Sequence, residues 1–129
     1  MIPYFQNDFH KTLFQAFHDL YPAIEVEVWW ATDEEIGGAK GICNWTKDGP
    51  IIGINLEIPA FNTVDILCHE LAHAATCKDC PGDGQDEGDH HCPEWEAAYE
   101  AIYRRYCEIT LETGKSKMVQ IIQEDRDKV

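Results

Sequence analysis

The residues of this chain best suited to chemistry are His69-Glu70-Leu71-Ala72-His73. On an α-helix, residues four apart share a face, so His69 and His73 can offer two imidazoles to one cation. Glu70 lies beside the first of them, where a carboxylate can take a proton from a metal-activated water. The pattern H-E-x-x-H therefore predicts a catalytic zinc site, with His69 and His73 as ligands and Glu70 as general base. Such a site needs a third protein ligand and one open position. Four of the six histidines fall between positions 69 and 91. His91, two residues before Pro93, is the favoured third ligand. His90 is the next choice, and a carboxylate such as Glu94 or Glu100 follows.

The elements that must position these groups are readable from hydrophobic periodicity. Phe5, Phe9, Leu13, Phe14, Phe17 and Leu20 recur at helical spacing, which predicts an amphipathic helix over 4–20, stopped by Tyr21-Pro22. His10 and His18 fall in this helix and read as surface or boundary residues. Alternation from Ile24 to Val28 predicts a strand over 23–30. Weaker and stronger strands follow at 39–46 and 51–58, joined as a hairpin by the Asp48-Gly49 turn. Gly53 within the last strand suggests a bulge or a close backbone approach. The motif helix starts at Asn62 or Thr63. Its apolar stripe is Val64, Leu67, Cys68, Leu71 and Ala75, with His69, Glu70 and His73 on the other side. Residues 77–92 read as an acidic loop. Pro93 opens a second helix whose stripe runs from Trp95 through Ala98, Tyr99, Ile102 and Tyr106 to Ile109, ending near Thr113-Gly114. This order predicts an α+β domain over 1–114, with a short amphipathic and charged tail over 115–129.

Composition bounds the function. The 129 residues suit one domain, and 44% hydrophobic content supports one core. The formal net charge is −14. Residues 1–103 hold 19 acidic and 4 basic side chains, and the remainder hold 5 and 6. Such a body repels phosphate, so no direct nucleic-acid binding is expected. No apolar run reaches the ~20 residues of a membrane span. The N-terminal residues do not follow the pattern of a secretory signal, so a cytoplasmic protein is expected. Its six cysteines are then expected to be reduced thiols or metal ligands. Cys77, Cys80 and Cys92, with His90, form a candidate second, structural zinc site. Cys43, Cys68 and Cys107 read as buried small hydrophobes. The four tryptophans, Trp95 among them, read as core or cleft-wall residues.

The order of parts resembles the SprT-like metallopeptidases, a zincin group that includes Spartan. That family has a leading helix, a small three-stranded sheet, an H-E-x-x-H helix, a loop, and a segment H-G-x-x-F/W opening another helix. The matching pieces are Ile24-Glu25-Val26, Ile51-Ile52-Gly53-Ile54-Asn55, His69 to His73, and His91-Cys92-Pro93-Glu94-Trp95. The resemblance spans roughly 5–110, and the two motifs in tandem are far more specific than either alone. It implies a minimal zincin-like fold with a three-stranded antiparallel or mixed sheet, one catalytic zinc on His69, His73 and His91, and Glu70 as general base. Cys92 departs from the family's usual glycine. No zinc ribbon or DNA-binding extension of the kind some members carry is expected, and with the acidic body DNA-dependent cleavage is not carried over.

The expected activity is therefore zinc-dependent hydrolysis of peptide bonds in protein or peptide substrates. Tyr99, Tyr103 and His90 are the candidates to stabilise an oxyanion. An extended substrate would pair with an edge strand near 39–46. The alternatives are a zinc hydrolase acting on a non-peptide substrate such as a nucleotide, and a non-catalytic zinc-binding regulatory protein.

Overall fold

The computed structural model describes residues 2–4, 7–76 and 91–127. The fold is α+β, and the described residues form a four-stranded mixed sheet and three α-helices. In chain order these are β1 (Ile2–Pro3), α1 (Asp8–Leu20), β2 (Glu27–Ala31), β3 (Gly41–Thr46), β4 (Gly49–Asn55), α2 (Thr63–Thr76) and α3 (Pro93–Asp127). A single 3-10 turn, Ala60–Asn62, leads into α2. The sheet order is β1-β2-β4-β3, with β2 and β4 parallel and the outer pairs antiparallel. The two residues of β1, paired with Trp29 and Trp30, make the sheet one strand larger than the three expected. Two residues carry no readable alternation.

Helix α1 begins at Asp8 rather than residue 4 because Asn7 caps it, its Oδ1 accepting from the His10 amide at 2.8 Å. Tyr4 instead stacks on Trp30, with ring centroids 4.5 Å apart. The buried positions His10, Leu13, Ala16 and Phe17 follow the helical period. Strand β2 begins at Glu27, three residues into the alternating stretch. Its first partner is Ile51, and the residue before Ile51 is Pro50, which has no N–H to give to a ladder. The hairpin of β3 and β4 forms as expected, from Gly41↔Ile54 to Thr46↔Gly49. Gly53 makes no bulge. A Cβ there would come within 3.2 Å of Ile42, so the glycine serves close packing.

The chain passes from β2 to β3 across the end of β4, and Asn55 holds that crossing. The buried Asn55 Nδ2 donates to Asp33 Oδ1 at 2.9 Å and to the Ala39 carbonyl at 3.0 Å, and its amide donates to the Lys40 carbonyl at 3.0 Å. Gly37 and Gly38, at φ 66° and 79°, take the left-handed conformation the turn needs. This fixes where Lys40 and Gly41 emerge.

Helix α2 packs against β3 and β4 on one side and against α1 and α3 on the other. Leu67, Cys68, Leu71, Ala72 and Ala74 are fully buried. The helix is thus enclosed nearly all round, rather than presenting one apolar stripe and one open face. Helix α3 crosses α1 and α2 and makes no contact with the strands among the described residues. It starts at Pro93, as expected. It does not stop at Thr113-Gly114 but continues to Asp127, about 50 Å in all. Gly114 has no positive φ and meets nothing within 4 Å of a notional Cβ. A lone mid-helix glycine costs only about 1 kcal/mol, which the flanking helix formers offset. Leu111, Met118, Ile121 and Ile122 beyond the body are exposed.

His10 is buried, against the expectation of a surface or boundary residue. Its Nδ1 bonds the Tyr4 hydroxyl and its Nε2 lies 2.7 Å from Thr63 Oγ1, the first residue of α2. Burial lowers its pKa below the usual 6.5. The folded state therefore binds fewer protons than the unfolded one, and stability falls as pH drops below 6.5. Replacing His10 by Leu should cost about 2–4 kcal/mol in denaturant unfolding at pH 7.5 and should remove this acid-side loss. An unchanged acid limb would show that His10 does not supply it.

Candidate metal centre

Three imidazoles meet at one point. His69 and His73 come from successive turns of α2, and His91 from the residues just before α3. His69 Nε2 lies 3.2 Å from His73 Nε2 and 3.2 Å from His91 Nε2, and one ligand nitrogen from each residue falls within 4.8 Å of the others. Nitrogens each about 2.0–2.1 Å from a tetrahedral zinc would stand about 3.3 Å apart. The cluster therefore has the spacing and the donor chemistry to hold a metal ion. Burial and the neighbouring His91 lower the pKa of His69, keeping its ring neutral as a ligand must be.

Trp95 is the packing centre of this cluster. Its ring centroid lies 4.8 Å from that of His69, 5.4 Å from His73 and 4.4 Å from His91. Its Nε1 also donates to the His69 carbonyl at 3.3 Å. One side chain on the first turn of α3 thus orients both ligands on α2 and the one preceding α3. The sequence placed Trp95 only as a core or cleft-wall residue. Its position two residues after Pro93 was the signal that it would face the histidines.

Glu70 is 5% exposed, with Oε1 3.9 Å from His69 Nε2. It points toward β3, where Gly41 makes room for it. A Cβ on Gly41 would stand 2.9 Å from Ile66 Cγ2 and 3.1 Å from Glu70 Cγ. Burial pushes the Glu70 carboxyl up to about 7 in the metal-free protein. A cavity of about 450 Å³ opens beside it, lined by Lys40, Gly41, Asp65, His69, Trp95 and Tyr99 among others. Tyr99 donates its hydroxyl to Asp65 Oδ1 and faces this cavity. Burial and that carboxylate hold its phenol above the ordinary range. Tyr103 stacks on Tyr99 at 6.3 Å and does not line the cavity, so of the two only Tyr99 borders the site. Glu100 is exposed and pairs with Arg104 at 2.8 Å, and Glu94 is exposed. Neither joins the cluster.

His90, Cys77 and Cys80 lie outside the described residues. Cys92 is disulfide-bonded, against the expectation of reduced cysteines, so it has no thiolate to give to a second zinc. Cys43, Cys68 and Cys107 are not disulfide-bonded. Cys68 is buried and Cys43 half-buried, as small hydrophobes should be, but Cys107 is exposed because α3 turns it outward. No protein-family model matches the chain, and neither does any curated protein.

Two outcomes are expected. In metal-free protein the folded pKa of Glu70 lies above its ordinary 4.5, so the folded state binds more protons. Stability should then fall by about 3 kcal/mol as pH rises from 4.5 through 7, and this loss should vanish in Glu70→Gln; a pH-independent wild type would contradict it. Gly41→Ala should displace Glu70 while leaving the three imidazoles in place. Metal affinity should hold within about threefold while any Glu70-dependent turnover drops at least about tenfold, and equal loss of both would place Gly41 in the fold instead.

Proposed function

We propose that the protein is a zinc-dependent metallopeptidase that hydrolyses peptide bonds in protein or peptide substrates. The observation that carries this reading is the buried Glu70 carboxylate beside three converging imidazoles, at the border of an open strand edge. His69, His73 and His91 would hold the metal. A zinc ion bound there would polarise the scissile carbonyl and make a water nucleophilic near neutral pH.

The chain's own groups supply the rest. Glu70 accepts a proton from the attacking water at a carboxylate oxygen and passes it to the leaving amine nitrogen. Burial raises its carboxyl above the ordinary range in the metal-free protein, and a cation held by the three imidazoles would favour the carboxylate form that accepts the proton. Tyr99 stands across the cavity with a hydroxyl hydrogen already directed at a carboxylate, and we assign it the role of oxyanion donor once that hydrogen turns to substrate. Strand β3 lies at the sheet edge, and its first residue, Gly41, borders the cavity. An extended peptide added along β3 would bring its backbone past Glu70. The order of elements and the tandem of His69–His73 with His91-Cys92-Pro93-Glu94-Trp95 resemble the SprT-like metallopeptidases, which supports the same reading.

The acidic body argues against a nucleotide substrate. Among the described residues lining the cavity Lys40 is the only Lys or Arg, where phosphate recognition calls for several.

Protein purified without added metal should carry about one equivalent of zinc, and His91→Ala, like His69→Ala and His73→Ala, should lower its affinity at least about tenfold. Incubated with a whole proteome, the wild type should generate new peptide termini and Glu70→Gln should not, while retaining zinc. Tight zinc without Glu70-dependent cleavage would favour the regulatory alternative. Absence of tight metal would sink the catalytic reading.

A further inference from the structure

A second depression of about 790 Å³ adjoins the metal centre, within the ~300–1,000 Å³ of typical ligand clefts. The two cavities share Asp65 and Tyr99. Its walls come from Phe9 of α1, Phe61 of the 3-10 turn, Val64 of α2, and Tyr103 and Tyr106 of α3. Phe61 is 80% exposed, Phe9 60% and Tyr103 45%. Three large exposed rings gathered round one hollow are informative where a single exposed ring is not. The hollow continues an aromatic ladder on α3. Trp95, Tyr99 and Tyr103 follow one another at centroid distances of 5.3 and 6.3 Å, leading from the imidazoles to the groove.

We infer that this groove is a specificity subsite that takes a large apolar side chain, aromatic or branched aliphatic, from the polypeptide being cut. The inference rests on the peptidase reading and adds the substrate class. Its continuity with the metal cavity at Asp65 and Tyr99 argues for substrate rather than an unrelated partner. Trp95 and Tyr103 are eight residues apart on one helix, so the groove lies about 12 Å from the imidazoles. An extended chain covers that in three or four residues. The selected side chain therefore stands three or four residues from the scissile bond. Asp65 at the junction, in a body with 19 acidic and 4 basic residues over 1–103, sets the groove against acidic segments. The preferred substrate is an exposed hydrophobic, non-acidic stretch of an unfolded or extended chain.

The test measures binding apart from cleavage. Zinc-loaded full-length Glu70→Gln is titrated with serine-rich ten-residue peptides carrying one phenylalanine at successive positions, with an all-serine host and a host bearing two aspartates beside the phenylalanine. Binding should depend on the phenylalanine position and be weaker with the aspartates. Adding Phe61→Ala or Tyr103→Ala should weaken it about tenfold, and Phe61→Leu should restore most of it. Both positions are exposed, so folding is checked by an unchanged thermal transition. Position-independent binding, or binding indifferent to both truncations, overturns the subsite. If instead the protein self-associates and Phe61→Ala makes it monomeric, the groove is an interface between copies and the subsite is overturned. The peptidase reading fails separately: phenylalanine-dependent binding without wild-type cleavage removes the activity and keeps the groove, whereas cleavage indifferent to Phe61 and Tyr103 keeps the activity and removes the groove.

Discussion

The separation of α2 from the start of α3 is the constraint on which the rest of the site depends, and Trp95 sets it. The indole packs against the rings of His69, His73 and His91 while its N–H grips the His69 carbonyl. With His69 Nε2 3.2 Å from both other ring nitrogens, the cluster depends on how closely the start of α3 approaches α2. The remaining architecture buttresses that spacing. The α1 helix is tied to the first residue of α2 through His10 and Thr63, and to α3 through the Asp19–Arg105 ion pair. Both contacts hold the three helices together.

Enclosure of Glu70 is the second consequence of close packing. A carboxylate is costly to bury, and the cost appears as a raised pKa rather than as a compensating ion pair. Gly41 permits this, because any side chain there would meet Ile66 and Glu70. The placement of Gly41 depends in turn on Asn55, which fixes the β2–β3 crossing from the end of β4. The chemistry on α2 thus rests on an amide at the far end of a strand.

Much of this was legible in the sequence because its signals are local. The four-residue spacing of His69 and His73, the proline that starts α3, and the Asp48-Gly49 turn each act within a few positions. His91 was legible because Pro93 fixes the helix start beside it. The parts that were not legible depend on distant partners. His10 reads as a surface residue until Thr63, 53 positions away, is seen to hold it. Gly41 and Asn55 carry no pattern that announces contact with Glu70 or Asp33. Gly114 misled in the other direction: glycine ends a helix when the backbone turns left-handed, and here it does not. Sequence periodicity also gave α2 one open face, because it registers what a helix offers and not what other elements lay over it.

Strand β3 lies at the edge of the sheet, with no neighbour on its outer side among the described residues, and Asn44, Trp45 and Thr46 there are exposed. An unpaired strand edge accepts any strand, including that of an identical molecule. A charged or proline-blocked edge would prevent such stacking but would equally refuse an extended ligand. The protein keeps the edge plain and carries its protection elsewhere, in a formal charge of −14 that makes copies repel before their edges meet. That defence is long-ranged in dilute salt and shrinks to about 8 Å at physiological ionic strength. Colloidal stability and access to the strand edge are thereby governed by one quantity, the ionic strength of the surroundings.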